Sequence, residues 1–305
     1  MIAPITMDGF SHIVVETTDL GRGEEFYRLL GFQASGYDRV PNCGAHALFQ
    51  MASGQWLILA RSERPRTFPD SGVHQAYRVT PWDRDAIGAK LAAAGVPVHT
   101  YKEDRPAEAA DNFYCFDPDG NRIQLIANSG VATDPRGKVL SIDHAAIESH
   151  DLEWAEDFYV NRLGWVADHR VGWRTDDYVR AKLWGEGKEQ MAPGTRRWDR
   201  RYTTMEQKRL LPRPNTQLFV RVGDGVLGVF LATQHRQEPP EEQIVGTPRI
   251  GVRASRAVLI ETAKLLAEAR SLTAGPLEHP SRSPIALSLY IKDPGANFLE
   301  ICVPR

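Results

Sequence analysis

The stretch SHIVVETTDLGRGEEFYRLLGF (11–32) decides the fold, because it returns later as DHAAIESHDLEWAEDFYVNRLGW (143–165). In each copy a histidine, His12 or His144, opens a run of alternating apolar residues, and an Asp-Leu pair stands seven residues after it. A Phe-Tyr pair follows fourteen residues after each histidine, and a glycine comes shortly afterwards. The alternation predicts a strand, the aspartate a helix N-cap and the glycine a helix end. The chain is therefore predicted to repeat one strand–helix unit.

A second pattern recurs at the end of each half, as DPDGNRIQLI (117–126) and DPGANFLEIC (293–302). Together the repeats predict an α+β fold of two tandem domains, each built from paired βαβββ units that form curved mixed sheets around a cleft. We assign residues 1–130 to the first domain, 131–140 to a linker and 141–305 to the second domain. The second half is longer in its middle, and the polar segment near 185–214 is interpreted as an excursion from the sheet.

The bulk composition favours a soluble protein of two domains. A chain of 305 residues with a formal charge of −2 lacks the basic footprint of a general nucleic-acid binder. Its apolar runs are too short for a membrane span, so we expect neither nucleic-acid nor membrane partners. The three cysteines are scattered without CxxC spacing, which favours a reducing, cytoplasmic location. The chain leaves monomer and homodimer open.

Four features together resemble one known superfamily. They are the strand-borne His12, the helix end FYRLLGF (26–32), the strand HQAY (74–77) and the terminal strand in DPDGNRIQLI (117–126). In this order they are similar to the vicinal oxygen chelate superfamily, which includes glyoxalases, bleomycin-resistance proteins and extradiol dioxygenases. The resemblance covers nearly the whole chain twice, and it carries the fold rather than one reaction.

The resemblance also implies a set of metal ligands. Members of the superfamily typically hold a divalent metal with one ligand from an early strand, one from a middle strand and a carboxylate from the last strand. The matching positions are His12, His74 and Gln124 in the first half, and His144, Arg249 and Glu300 in the second half.

Neither half keeps two histidines and a carboxylate. Gln124 retains an oxygen donor without the negative charge, whereas the Arg249 guanidinium cannot ligate a metal. We therefore predict one divalent-metal site in or facing the first half, with His12, His74 and Gln124 as ligands. Fe(II) or Mn is expected first, with Ni or Zn as alternatives. In the second half Glu300 has two interpretations, a metal ligand with His144 or a salt-bridge partner of Arg249.

The connectivity of the sites stays open at this point. In some members of the superfamily the early-strand ligand comes from the other half or subunit. His144 would then complete a site with His74 and Gln124, and His12 would lie near Arg249 and Glu300.

Two tyrosines are candidate catalytic residues. Extradiol dioxygenases usually carry a tyrosine ten residues before the ligand carboxylate, where it contacts the substrate. Tyr114 stands ten residues before Gln124, and Tyr290 stands ten residues before Glu300. The acid–base histidine of those enzymes has no counterpart here.

These residues lead to two hypotheses of different class. The first is a divalent-metal-dependent enzyme of the glyoxalase or extradiol-dioxygenase type, acting on a small substrate with two adjacent oxygens. The second is a metal-free protein of the bleomycin-resistance kind that binds a small molecule between its sheets.

Overall fold

A computed structural model describes residues 6–35, 37, 39–68, 72–98, 112–127, 138–171, 216–232 and 238–305. The strands are β1 Gly9–Thr17, β2 Gln33–Ala34, β3 His46–Gln50, β4 Trp56–Arg61, β5 His74–Val79, β6 Asn112–Phe116, β7 Arg122–Ala127, β8 Ser141–Ser149, β9 Ala167–Val171, β10 Gln217–Val222, β11 Gly225–Leu231, β12 Arg249–Arg253, β13 Thr273–Glu278, β14 Ile285–Lys292 and β15 Phe298–Pro304. The helices are α1 Leu20–Leu29, α2 Pro81–Ala93, α3 Leu152–Glu156, which a π-helical turn at Asp157–Arg162 continues, and α4 Arg256–Glu268.

The repeated aspartates begin the helices as the sequence predicts. The side chain of Asp19 accepts a hydrogen bond from the backbone N–H of Arg22 at the start of α1. The side chain of Asp151 accepts from two backbone N–H groups at the start of α3. These bonds satisfy donors that a helix leaves unpaired in its first turn. Both repeats therefore enter their helix in the same way.

One extra residue distinguishes the two helix ends. Four positions separate Tyr27 from Gly31, whereas five separate Tyr159 from Gly164. The second copy accommodates the additional residue as the π-helical turn at Asp157–Arg162, which is the usual way a helix absorbs a single insertion. Both glycines then adopt positive φ, +90° at Gly31 and +69° at Gly164, a conformation that glycine reaches without a Cβ clash.

Two sheets, A and B, carry the described strands. Sheet A has eight strands in the order β13-β14-β15-β12-β1-β4-β3-β2, and sheet B has seven in the order β6-β7-β5-β8-β11-β10-β9. The first unit of the chain thus shares sheet A with the last, and the two middle units share sheet B. The joins are the antiparallel pairs β1–β12 and β5–β8. Each sheet therefore takes strands from both halves of the sequence.

The predicted fold class, an α+β tandem fold with curved mixed sheets, is confirmed. Most of the linker predicted at 131–140 and the whole excursion near 185–214 lie outside the described residues. In the part of the chain that the structure describes, no helix is both long enough and apolar enough to cross a membrane.

Contacts between helix and turn hold the two units of each half together. The Tyr27 hydroxyl lies 3.1 Å from Oδ2 of Asp117, and the Tyr159 hydroxyl lies 2.7 Å from Oδ2 of Asp293. All four side chains are buried. The Phe-Tyr pair of one unit thus anchors the Asp-Pro turn of the next, which explains why both patterns recur together.

Candidate functional site

One row of side chains crosses sheet B where the two halves join. Ala76 on β5 pairs with Gln124 on β7 and with His144 on β8, and Gln124 pairs with Tyr114 on β6. Side chains that are paired across strands share a face. His74 stands two residues before Ala76 and therefore projects from that same face. The ligand face of sheet B, as we call it, carries both histidines, the amide and the tyrosine.

The two histidines of this face meet at their Nε2 atoms, which lie 2.8 Å apart. The Nδ1 atom of His74 lies 2.7 Å from the carbonyl oxygen of Gly72, and Nδ1 of His144 lies 2.6 Å from Oδ1 of Asp143. Both of these oxygens can only accept, so each Nδ1 carries the ring proton in the neutral imidazole. The two Nε2 atoms then face each other as acceptors, and one cation, a proton or a metal ion, would bridge them.

Asp143 fixes the orientation of His144. Arg78 donates from Nε to the other oxygen of Asp143 at 2.6 Å. Burial opposes ionisation of this carboxyl group, but its hydrogen bond and charge interaction with His144 and its contacts with Arg78 hold the pKa of Asp143 below its ordinary value. A carboxylate behind a histidine is the usual support of a metal-binding imidazole.

The geometry of this face fits a metal ion. Two histidine nitrogens bound to one metal at about 2.0–2.1 Å would lie about 2.9–3.4 Å apart, from a right angle to a tetrahedral angle at the metal, so the hydrogen-bonded separation of 2.8 Å needs only a small opening to admit the ion. The Oε1 atom of Gln124 is buried without a hydrogen-bond partner in the described residues. Among those residues, no three His, Cys, Asp or Glu side chains form a metal-binding group. The set here therefore rests on two histidines and an amide oxygen.

Sheet A has the corresponding row, with different chemistry. Gly251 on β12 pairs with His12 on β1 and with Glu300 on β15, and Glu300 pairs with Tyr290 on β14. Arg249 stands two residues before Gly251, as His74 stands before Ala76. We call this the ligand face of sheet A.

An ion pair occupies this face. Arg249 Nε lies 2.7 Å from Oε2 of Glu300, and His12 Nε2 lies 3.3 Å from the same oxygen. Ser288 donates to the other carboxylate oxygen at 2.5 Å. The guanidinium carbon of Arg249 also lies 5.1 Å from the centroid of the Tyr290 ring. The Arg249 guanidinium is thus the cation that pairs with the Glu300 carboxylate on the ligand face of sheet A.

Burial and charge act together on this ion pair. The side chains of Arg249 and Glu300 are 0% exposed, and so is that of His12. Burial alone would raise the pKa of Glu300, but Arg249 and then His12 lower it to about 2. The same carboxylate raises the pKa of Arg249 against the effect of burial. Both groups are therefore charged at neutral pH.

The presence of glycine at position 251 and alanine at position 76 accounts for part of the difference between the two ligand faces. A Cβ atom built on Gly251 would lie 2.1 Å from Cε1 of His12, so the imidazole crosses the sheet towards Glu300 only because that position is glycine. Sheet B has Ala76 at the matching place. There His144 meets His74 instead.

The structure thus separates the residues that the sequence grouped by halves. His74, Gln124 and Tyr114 of the first half lie on sheet B with His144, whereas His12 lies on sheet A with Glu300 and Tyr290. Sequence reasoning missed Asp143 and Arg78. The available signal was the acid that precedes His144, where His12 is preceded by Ser11.

Comparison with known proteins agrees with this architecture. Residues 9–125 match the model of the Glyoxalase/Bleomycin resistance protein/Dioxygenase superfamily. A putative dioxygenase from Bacillus subtilis subsp. subtilis str. 168 superposes with a TM-score of 0.64 at 14% identity, over 98% of this chain and 86% of that chain. Glyoxalase I from Zea mays gives a TM-score of 0.57 at 14% identity, over 97% and 92%. No curated protein matches the sequence significantly.

The resemblance to the superfamily of the glyoxalases, bleomycin-resistance proteins and dioxygenases that the sequence predicted is thus confirmed over residues 9–125. The fold of the chain is similar to that of these two solved structures.

Proposed function

We propose that this protein is a divalent-metal-dependent enzyme whose one site lies on the ligand face of sheet B. His74, His144 and Gln124 would hold the metal, and the substrate would be a small molecule with two adjacent oxygens. One observation carries the proposal: two Nε2 atoms lie 2.8 Å apart while each Nδ1 faces an acceptor oxygen. This arrangement prepares two neutral imidazoles to bind one cation.

The residues around the proposed metal position would have different roles in orienting the ligands and setting the charge of the site. A bound divalent metal would supply Lewis-acid polarisation of the substrate oxygens. The Gly72 carbonyl and Asp143 orient the imidazoles. Gln124 contributes an oxygen without a charge, so the site keeps the full positive charge of its metal and favours an anionic substrate oxygen.

Tyr114 is the candidate substrate contact. It pairs with Gln124 across the strands, and its ring centroid lies 5.8 Å from that of His74. A phenol hydroxyl both donates and accepts hydrogen bonds. We expect it to orient a substrate oxygen and to hold a proton there.

Accessibility supports sheet B over sheet A as the reactive side. The side chain of His144 is 24% exposed, whereas those of His12 and Glu300 are 0% exposed. A substrate can therefore reach His144 without opening the core, whereas it cannot reach His12 in this way. The enzymes named among the structural neighbours, a putative dioxygenase and a glyoxalase I, are consistent with a reaction at two vicinal oxygens.

Metal titration of purified, metal-stripped protein tests the proposal. Fe(II) under nitrogen, Mn(II), Ni(II) and Zn(II) would each be titrated calorimetrically into the wild type and three variants. His74→Ala is expected to weaken binding by more than about 100-fold, since even an outer-shell change typically costs 10–100-fold. Gln124→Glu is expected to tighten binding, because it restores a carboxylate ligand.

The matched control is His150→Ala, which removes a partly exposed histidine paired with Glu238. This variant should bind metal as the wild type does. If no metal binds at one equivalent, or if His74→Ala binds as tightly as His150→Ala, the proposal fails. Chelator-insensitive binding of a small molecule would then favour the metal-free binding protein.

A further inference from the structure

A cavity of about 80 Å³ lies between the two sheets. On sheet A it is lined by Ile13 and Ile250, which pair across β1 and β12. On sheet B it is lined by Ala145 and Gln75, which pair across β8 and β5. Each of these residues is the sequence neighbour of a residue on a ligand face, so its side chain projects from the opposite face of its sheet.

The cavity thus lies behind the two ligand faces. His74 and Arg249 also border it, but the Nε2 atom of His74 is engaged with His144 and the Nε atom of Arg249 with Glu300. These contacts keep the functional groups of both residues on the ligand faces. The chemistry of the cavity therefore depends on other side chains.

The interior of the cavity is apolar, and one end is open. Val15 and Ile147 add to its wall, and both belong to the buried core that the two sheets share. Phe68, Val73 and Pro248 border the cavity as well, and these three residues are only half-buried. A small molecule can therefore enter from this end and bury its apolar part between the sheets.

The internal repeat shows how sheet B makes room for the cavity. Ala145 occupies the position in β8 that Ile13 occupies in β1, since each directly follows the histidine that marks its repeat. Gln75 matches Ile250, because each stands one residue before the partner of that histidine across the strands. Where sheet A pairs two isoleucines, sheet B thus pairs a small side chain with a polar one.

The amide of Gln75 has a proton that the described residues do not bind. Gln75 is only 4% exposed. Its Oε1 atom accepts from the Tyr77 hydroxyl at 2.8 Å, and its Nε2 atom lies 3.5 Å from the Tyr27 hydroxyl. An amide nitrogen carries two protons, and the part of the chain that the structure describes offers no acceptor for the second. Such a buried donor is costly unless another molecule accepts from it.

We propose that this cavity binds a small aliphatic molecule with one carbonyl oxygen. The oxygen would accept the second Nε2 proton of Gln75, and the alkyl groups would lie beside Ala145 against Ile13 and Ile250. An apolar cavity of about 150 Å³ can hold benzene, so a cavity of about 80 Å³ suits a molecule of roughly three to five non-hydrogen atoms. The site needs no metal and is independent of the proposed function.

The test is an NMR titration of the metal-free, full-length protein, labelled with ¹³C at the isoleucine methyl groups and with ¹⁵N. One probe is butan-2-one. The other is 2-methylbut-1-ene, a hydrocarbon of the same shape in which a CH₂ group replaces the oxygen. The methyl signals of Ile13, Ile147 and Ile250 and the side-chain NH₂ signal of Gln75 report on occupancy of the cavity.

Saturable shifts of these signals are expected with both probes in the wild type. The ketone should bind about two- to tenfold more tightly than the hydrocarbon, because it accepts a hydrogen bond from the amide. In Gln75→Leu, which has a similar volume and no amide, the two probes should bind equally. In Ala145→Ile, which restores the side chain of sheet A, the saturable shifts should disappear.

Ala155→Ile is the matched control for the volume change. Ala155 is 1% exposed in α3 and does not line the cavity, so the larger side chain has no space there and should lower the urea midpoint. Ala145→Ile should keep or raise the midpoint, because its side chain fills space that is already present. A fall as large as that of Ala155→Ile would overturn the cavity itself.

The remaining outcomes decide the ligand class. Absence of saturable shifts at the three isoleucines with both probes refutes the binding site. Equal affinity for ketone and hydrocarbon in the wild type refutes the role of Gln75 and the carbonyl class. Failure of the metal titration described above would refute the proposed function and leave these results unchanged.

Discussion

Arg249→Met should destabilise the protein strongly, because it leaves Glu300 buried without its cation. The two side chains are in contact at 2.7 Å and 0% exposed, so solvent screens neither charge. Removing one partner of a buried ion pair typically costs about 3–5 kcal/mol. Although burial raises it, Arg249 and then His12 lower the pKa of Glu300 to about 2 from an ordinary 4.5, so the folded protein favours the ionised carboxylate that this substitution would leave unpaired.

The assay is urea unfolding at pH 7, followed by circular dichroism, for the wild type, Arg249→Met, Glu300→Gln and the double variant. Each single variant should lower the free energy of unfolding by about 3 kcal/mol or more, and the double variant by much less than the sum. The double variant is the matched control, since it removes both charges and keeps similar volumes.

The pH dependence gives an independent check. The folded pKa of Glu300 is lower than its unfolded value, so its ionisation contributes stability that is fully present above about pH 4.5. That contribution is lost as the pH falls from about 4.5 to about 2, and the loss should be absent in the double variant. A cost below about 1 kcal/mol for Arg249→Met, or equal acid sensitivity of wild type and double variant, would refute the reasoning.

Three further changes have defined outcomes. Asp143→Asn should weaken metal binding by about 10–100-fold in calorimetric titration while the fold is kept, because the imidazole of His144 loses its carboxylate acceptor; unchanged affinity would contradict the role of Asp143. Asp151→Ala should lower the free energy of unfolding by about 1 kcal/mol, since α3 loses its N-cap. Asp151→Asn should keep most of the wild-type stability, because asparagine is also a good N-cap. Tyr159→Phe should cost about 1.5–3 kcal/mol, because its hydroxyl bonds the buried Asp293 carboxylate at 2.7 Å, and a neutral result in urea unfolding would count against that anchor.

Much of the fold was readable because its signals are local. The N-cap aspartates Asp19 and Asp151 act within three residues, and strand alternation fixes the face of each side chain. The π-helical turn is the exception. It follows from one added residue before Gly164, which the sequence displays but which could equally have lengthened a loop.

The candidate site was readable only in its parts. Each residue of the predicted ligand sets lies on a predicted strand, and the register confirms shared faces within each sheet. The leading ligand set is not brought together, because His12 lies on sheet A whereas His74 and Gln124 lie on sheet B. The alternative, in which His144 lies beside His74 and Gln124, matches the observed arrangement of the strands. Asp143 precedes His144 directly in the sequence, but its contact with Arg78 on β5 becomes visible only when the strands are placed side by side.

The sequence by itself determined the repeated unit, its strands, caps and turns, and the residue types available for chemistry. The tertiary structure decided which unit shares a sheet with which, because the joins β1–β12 and β5–β8 connect strands far apart in the chain. A two-residue period specifies the face of a side chain and says nothing about the partner across the sheet. That choice places one histidine beside an arginine and a glutamate, and the other beside a second histidine.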